Sequence, residues 1–165
     1  MYSVNLPYPE VKVKEKNPKY LDLILLNYAS SISEFDAIAQ YTYHQIALTY
    51  ENKEIAETIR GISIVEMHHL ELLGQIIIKL GGEPGFWINN KKKNYWSAKL
   101  VNYDLSSIEN ILTIDIQDEK AAIKQYKETI SKIDDEYINA VIKRIILDEE
   151  FHIQLLVGLY TKYVK

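Results

Sequence analysis

Glu66 with His69 and, 83 positions further on, Glu149 with His152 form two E-x-x-H motifs. A step of three along a helix puts both side chains of each motif on one face. Each motif is embedded in an apolar stripe of that face. Ile59, Ile62, Leu73 and Ile76 flank the first, and Ile142, Ile145, Leu156 and Leu159 flank the second at the same offsets. Two more glutamates occupy apolar stripes of their own. Leu23, Leu26, Glu34, Ala37, Ile38, Tyr41 and Leu48 match Ile108, Ile111, Glu119, Ala122, Ile123, Tyr126 and Ile133 at an offset of 85. The chain therefore reads as two copies of one helical hairpin. Four carboxylates brought together in a core cost several kcal/mol per ion, so they must protonate, find cations or bind metal. No Lys or Arg lies beside them on these stripes. Two divalent ions would balance four carboxylates and two neutral imidazoles, and this oxygen and nitrogen donor set suits iron or manganese. The chain contains no cysteine, which argues against a structural zinc site and excludes disulfides and thiolate chemistry.

The elements that would position these residues follow from periodicity. Asn17 ahead of Pro18 marks a helix start, and apolar residues then recur every three or four positions to about Tyr50. A second pattern runs from about Lys53 to Leu80 and stops at Gly81, Gly82 and Pro84. Ser106 and Glu109 suggest a capping box opening a third helix to about Lys132, and Asp134 suggests the cap of a fourth reaching about Tyr163. Short links inside each pair and one long connection over 83–104 give an all-α, one-crossover four-helix bundle of two helical hairpins. Residues 1–17, with Pro7 and Pro9, read as an extended arm in which Val11–Lys14 could form a short strand. With 165 residues, 47% hydrophobic and 25% charged, the expectation is a single domain over 1–165. Nineteen basic against 23 acidic residues leave a formal charge of -4 and no footprint for nucleic acid. Nothing in the chain resembles a membrane span or signal region, so the cytoplasm is the expected location.

On these six residues the sequence resembles the ferritin-like di-iron carboxylate superfamily, in which two helices each give a Glu and the other two each give E-x-x-H. The resemblance spans about 18–163. It implies that Glu66 and Glu149 bridge two metals, that Glu34 and Glu119 are terminal ligands, and that His69 and His152 each supply one nitrogen. Glu34, Ala37 and Tyr41 also follow the first-helix pattern of rubrerythrins. The chain departs from them in lacking cysteines, hence a rubredoxin domain, and in having Ile116 and Ala122 one turn from Glu119 where a further glutamate would stand. The implied function is a non-haem di-iron oxidoreductase of peroxidase or ferroxidase type. Its cofactors would be two iron ions, with manganese as the alternative, and it would take peroxide or O2 and receive electrons from an unidentified donor. A homo-oligomer, with a dimer favoured, is expected. Glu66-Met67-His68-His69 is similar to a bacterioferritin motif whose Met binds haem, but Met67 alone reads as packing and haem is not expected. Bacterioferritin-like iron storage in a cage and manganese-catalase-like peroxide disproportionation are the alternative activities. A purely structural bundle with protonated carboxylates is the third class.

Other residues complete the expected site. Tyr41 and Tyr126, seven residues after Glu34 and Glu119, could bond ligand carboxylates across the bundle or quench stray oxidant. Ala37 and Ala122 would leave room for a small oxidant. Asp148 is a candidate acceptor for a ligand imidazole N–H. His44 is expected in a core or capping role, His68 at the surface, and Lys91–Lys93 in a solvated loop.

Overall fold

A computed structural model describes residues 1–164. Five helices appear where four are expected: α1 (Pro18–Ala29), α2 (Glu34–Leu48), α3 (Lys53–Lys79), α4 (Ile108–Lys132) and α5 (Glu136–Tyr163). The first long helix is broken at Ser30–Ser33. Serine side chains compete with the helical backbone for hydrogen bonds, and here they take them. Ser30 Oγ accepts from Ile32 N at 3.0 Å, Ser33 Oγ donates to Ser30 O at 2.8 Å, and Ser33 then caps α2 by accepting from Asp36 N. Gln125 reaches across from α4 and donates to the carbonyls of Leu26 and Ile32 at 3.3 and 2.6 Å. The break places Glu34 in the first turn of α2, where the helix dipole favours a carboxylate.

The remaining boundaries follow the expected signals, with two caps shifted by one residue. Ser107, not Ser106, accepts from Asn110 N to start α4, and Asp135, not Asp134, accepts from Tyr137 N and Ile138 N to start α5. α3 ends in paired bonds from Gly82 N to Ile77 O and Gly81 N to Ile78 O. This closure puts Gly81 at φ 90°, a conformation that excludes most side chains. Val11–Lys14 forms no strand. The crossover carries a two-stranded antiparallel pair, β1 (Trp87–Ile88) and β2 (Asn94–Tyr95), followed by a 3-10 turn at Ala98–Leu100. It is pinned to α2: Phe86 stacks on Phe35 with ring centroids 3.7 Å apart, and Trp96 Nε1 donates to Asp36 at 2.7 Å.

The apolar interior is divided. One cluster joins Ile24, Leu73, Ile76, Ile142 and Ile145, and the other joins Ile59, Ile62, Ile111, Leu156 and Leu159. α3 and α5 run antiparallel, so each gives its early half to one cluster and its late half to the other. Between the clusters lies a polar layer. No described helix is long and apolar enough to cross a membrane.

Candidate metal centre

The polar layer brings together all six residues singled out by the repeat: Glu34 from α2, Glu66 and His69 from α3, Glu119 from α4, and Glu149 and His152 from α5. None is more than 4% exposed. His69 Nδ1 lies 2.9 Å from Glu66 Oε2, 3.1 Å from Glu149 Oε1 and 3.6 Å from Glu34 Oε2. His152 Nδ1 lies 2.9 Å from Glu66 Oε1, 3.4 Å from Glu149 Oε2 and 3.7 Å from Glu119 Oε1. Glu66 and Glu149 therefore each turn one oxygen toward each histidine, while Glu34 and Glu119 serve one side apiece. Two groups of four donors result, Glu34–Glu66–His69–Glu149 and Glu66–Glu119–Glu149–His152, with the donor atoms of each group within 4.8 Å of one another.

This arrangement fits two metal ions. Glu66 Oε1, Glu149 Oε1 and His152 Nδ1 are fully buried without a hydrogen bond of acceptable geometry, although they crowd together. Buried polar atoms are ordinarily paired. Atoms that converge on a common point without bonding one another are disposed as ligands, and carboxylate with imidazole is a donor set for iron or manganese.

The electrostatics of the layer are divided in the same way. Burial raises Glu34 well above the ordinary carboxylate range, and the charges of Glu66 and Glu149 add to it. Burial and the neighbouring Glu149 do the same to Glu119. For Glu66 burial pushes upward, but His152 and His69 outweigh it and hold the carboxyl below its usual range. Burial and the charge of Glu66 push Glu149 upward, but the His152 and His69 imidazoles beside it outweigh them and hold the carboxyl below its usual range. Both histidines are raised: burial opposes their charge, but Glu34 and Asp148 prevail at His69, and Glu66 and Glu119 prevail at His152.

The residues around the six divide by side. Tyr41 donates to Glu119 Oε1 at 2.5 Å, and Tyr126 donates to Glu34 Oε1. Glu119 and Glu34 are thus each held by a tyrosine from the opposite hairpin. Asp148 Oδ2 lies 3.1 Å from His69 Nε2. A cavity of about 30 Å³ reaches all four glutamates between α2 and α4, past Ala37 and Ala122. Asp36 and Asp118 also line it. Burial, opposed by the Trp96 N–H and reinforced by Asp118, pushes Asp36 up to about 6. His44 is fully buried outside the layer, with Nδ1 2.9 Å from Asp115 Oδ1 and Nε2 3.2 Å from Asn102 O of the crossover.

Several participants carry no signal in the sequence reading. Asp115 lies one turn before Glu119 but faces His44. Gln40 bridges Asp115 and Asp118 at 3.2 and 2.7 Å. Tyr2, Val4 and Tyr8 of the arm reach the histidine side of the site, where Tyr2 O accepts from His152 Nε2 at 3.0 Å.

Comparison with known proteins bears on family and fold. The family model described as Rubrerythrin matches residues 25–160. No curated protein matches the chain in sequence. Among solved structures, a manganese catalase from Anabaena superposes with a TM-score of 0.84 at 23% identity, over 98% of this chain and 80% of that one. The bacterioferritin of Desulfovibrio desulfuricans, described with a diiron site, gives 0.69 at 24% identity, over 88% and 81%. Mycobacterium tuberculosis bacterioferritin gives 0.70 at 24% identity, over 91% of each chain. The architecture is that of the ferritin-like four-helix bundle.

Proposed function

The chain belongs to the rubrerythrin family, and from that premise we propose that it is a di-iron oxidoreductase that reduces peroxide or O2. The observation that carries this reading is the convergence of two E-x-x-H motifs and two further glutamates on one buried layer. Glu34 and His69 would hold one iron and Glu119 and His152 the other, with Glu66 and Glu149 shared between them. When bound, an iron pair supplies two electrons to the O–O bond, passing from iron(II) to iron(III), and is re-reduced by an external donor.

The chain's own residues supply positioning and access. Tyr41 and Tyr126 fix the terminal carboxylates from across the bundle. The side chains of Ala37 and Ala122 stop short of the carboxylates, and a cavity of about 30 Å³ admits a molecule of two or three heavy atoms rather than an organic substrate. The exposed Ile64, Met67 and Ile78 on α3 support a homodimer, the assembly we favour over a storage cage.

Manganese in the same six ligands is the second reading, favoured by the fold likeness to a manganese catalase over nearly the whole chain. Metal analysis of protein purified without chelator, followed by anaerobic addition of peroxide, tests both. Rapid oxidation of two irons per chain is expected. A filled iron site that peroxide does not oxidise would overturn the di-iron reading, and reductant-free peroxide disproportionation by a manganese-loaded protein would establish the second. Light scattering separates dimer from cage.

A further inference from the structure

The repeat that makes the six donors symmetric does not extend to the groups behind the histidines. On α5, Asp148 stands immediately before Glu149 and accepts from the outer nitrogen of His69. Its counterpart on α3, immediately before Glu66, is Val65, which has no acceptor to offer His152. The vacancy is filled from elsewhere in the chain. The backbone carbonyl of Tyr2, in the N-terminal arm, takes the outer N–H of His152 at 3.0 Å.

The arm is fastened at this place by several bonds. Val4 N donates to Asp148 Oδ1 at 2.7 Å, and the Tyr8 hydroxyl donates to Asp148 Oδ2. Arg144, 5% exposed, pairs with Asp148 at 2.8 Å. It also donates to Val4 O at 2.7 Å and to Leu6 O at 3.0 Å, and lies over the Tyr8 ring at 4.2 Å. The Tyr2 ring seats against Gly61 of α3, where a Cβ would collide with it. Asp148 thus serves His69 and clasps the arm at once.

We propose that the N-terminal arm is a working part of the metal centre and makes its two positions unequal. This rests on the dinuclear reading above. An imidazole whose outer N–H faces a carboxylate is a stronger donor than one facing a neutral carbonyl, and such partners fix its ring orientation. The Glu34/His69 position therefore binds a divalent ion more tightly than the Glu119/His152 position. The second position also depends on the arm being docked. By reciprocity, filling it fastens the arm.

The test uses the full chain and Mn(II) as probe, with calorimetric titration and hydrogen exchange at the Val4 amide. Wild type should load in two resolved steps, and exchange at Val4 should slow with the second. Gly61→Ala improves α3 as a helix while evicting the Tyr2 ring. It should speed Val4 exchange and weaken the second step about 10–100-fold, leaving the first unchanged. Tyr2→Ala, which removes the ring and leaves α3 untouched, should act the same way. Asp148→Asn, which alters both the His69 partner and the clasp on the arm, should weaken both steps. Two equal steps in wild type, or an unchanged second step in variants whose Val4 amide exchanges freely, would overturn the proposal. Failure of wild type to take up Mn(II) or Fe(II) would instead defeat the dinuclear reading itself.

Discussion

Glu66 and Glu149 differ from Glu34 and Glu119 in facing both histidines, and the difference can be measured. Glu66→Ala removes an oxygen from each metal position, so dinuclear loading should be lost, and retention of two tightly held ions would refute the bridging role. His69→Ala and His152→Ala each strip one position only. Metal content near one per chain is expected in either and close to none in the double variant, checked by elemental analysis after desalting. These six residues were legible because a polar side chain on an apolar stripe is conspicuous, and because the repeat shows it twice. His44 and Asp115 were not legible as a pair. Nothing in either helix announces a partner 71 residues away. Burial opposes a charge on His44, but the bond to Asp115 raises it above its usual value, and burial raises Asp115 too. A raised group stabilises the fold below its unfolded pKa and ceases to do so as pH climbs through the folded one. The Asp115 part of the contribution should therefore be complete only below about pH 4 and is lost first, whereas the His44 part should be complete below about pH 6.5 and fade as pH rises beyond it. Asp115→Asn should lower the His44 titration midpoint seen by NMR and flatten the fall in stability above that pH.

Helix starts in this protein are set by single capping side chains. Ser107 makes the one that opens α4, and Ser106 makes none to that helix. Ser107→Ala should cost about 1 kcal/mol in denaturant unfolding and Ser106→Ala only a few tenths; equal losses would contradict the assignment. The S-x-x-E spacing favoured Ser106, and the structure chose its neighbour because the cap is selected by where the chain leaves the crossover. The break between α1 and α2 escaped the periodicity for a different reason. Apolar spacing continues through Ser30–Ser33 in phase, so the stripe survives although the backbone does not. What interrupts the helix is the set of bonds that Ser30 and Ser33 take from the backbone, with Gln125 donating to Leu26 O and Ile32 O from across the bundle. The crossover was readable as irregular but not as a brace. Its hold on Asp36, Gln40 and His44 depends on long-range contacts that composition does not encode.

At the scale of the molecule, the two-hairpin plan was visible in the repeat, whereas the arm's placement was not, since its bonds run from backbone groups to residues some 140 positions away. The same plan has a consequence for how the chain reaches its native state. Most helix–helix packing joins sequence neighbours, α2 with α3 and α4 with α5, so each hairpin can assemble from local contacts and assemble fast. The four carboxylates meet only when the hairpins dock. That docking surface is a patch of built-in frustration, where folding works against like charge to create a site that has no local reason to exist. Metal ions relieve the conflict only after docking, so their stabilisation should appear beyond the folding barrier. Stopped-flow measurements with and without Mn(II) should show slower unfolding at an unchanged folding rate. An equal acceleration of folding would place docking before the barrier. Where metal binds the docked hairpins, the chain should unfold more slowly as metal concentration rises, so its lifetime as a folded molecule should lengthen with metal supply.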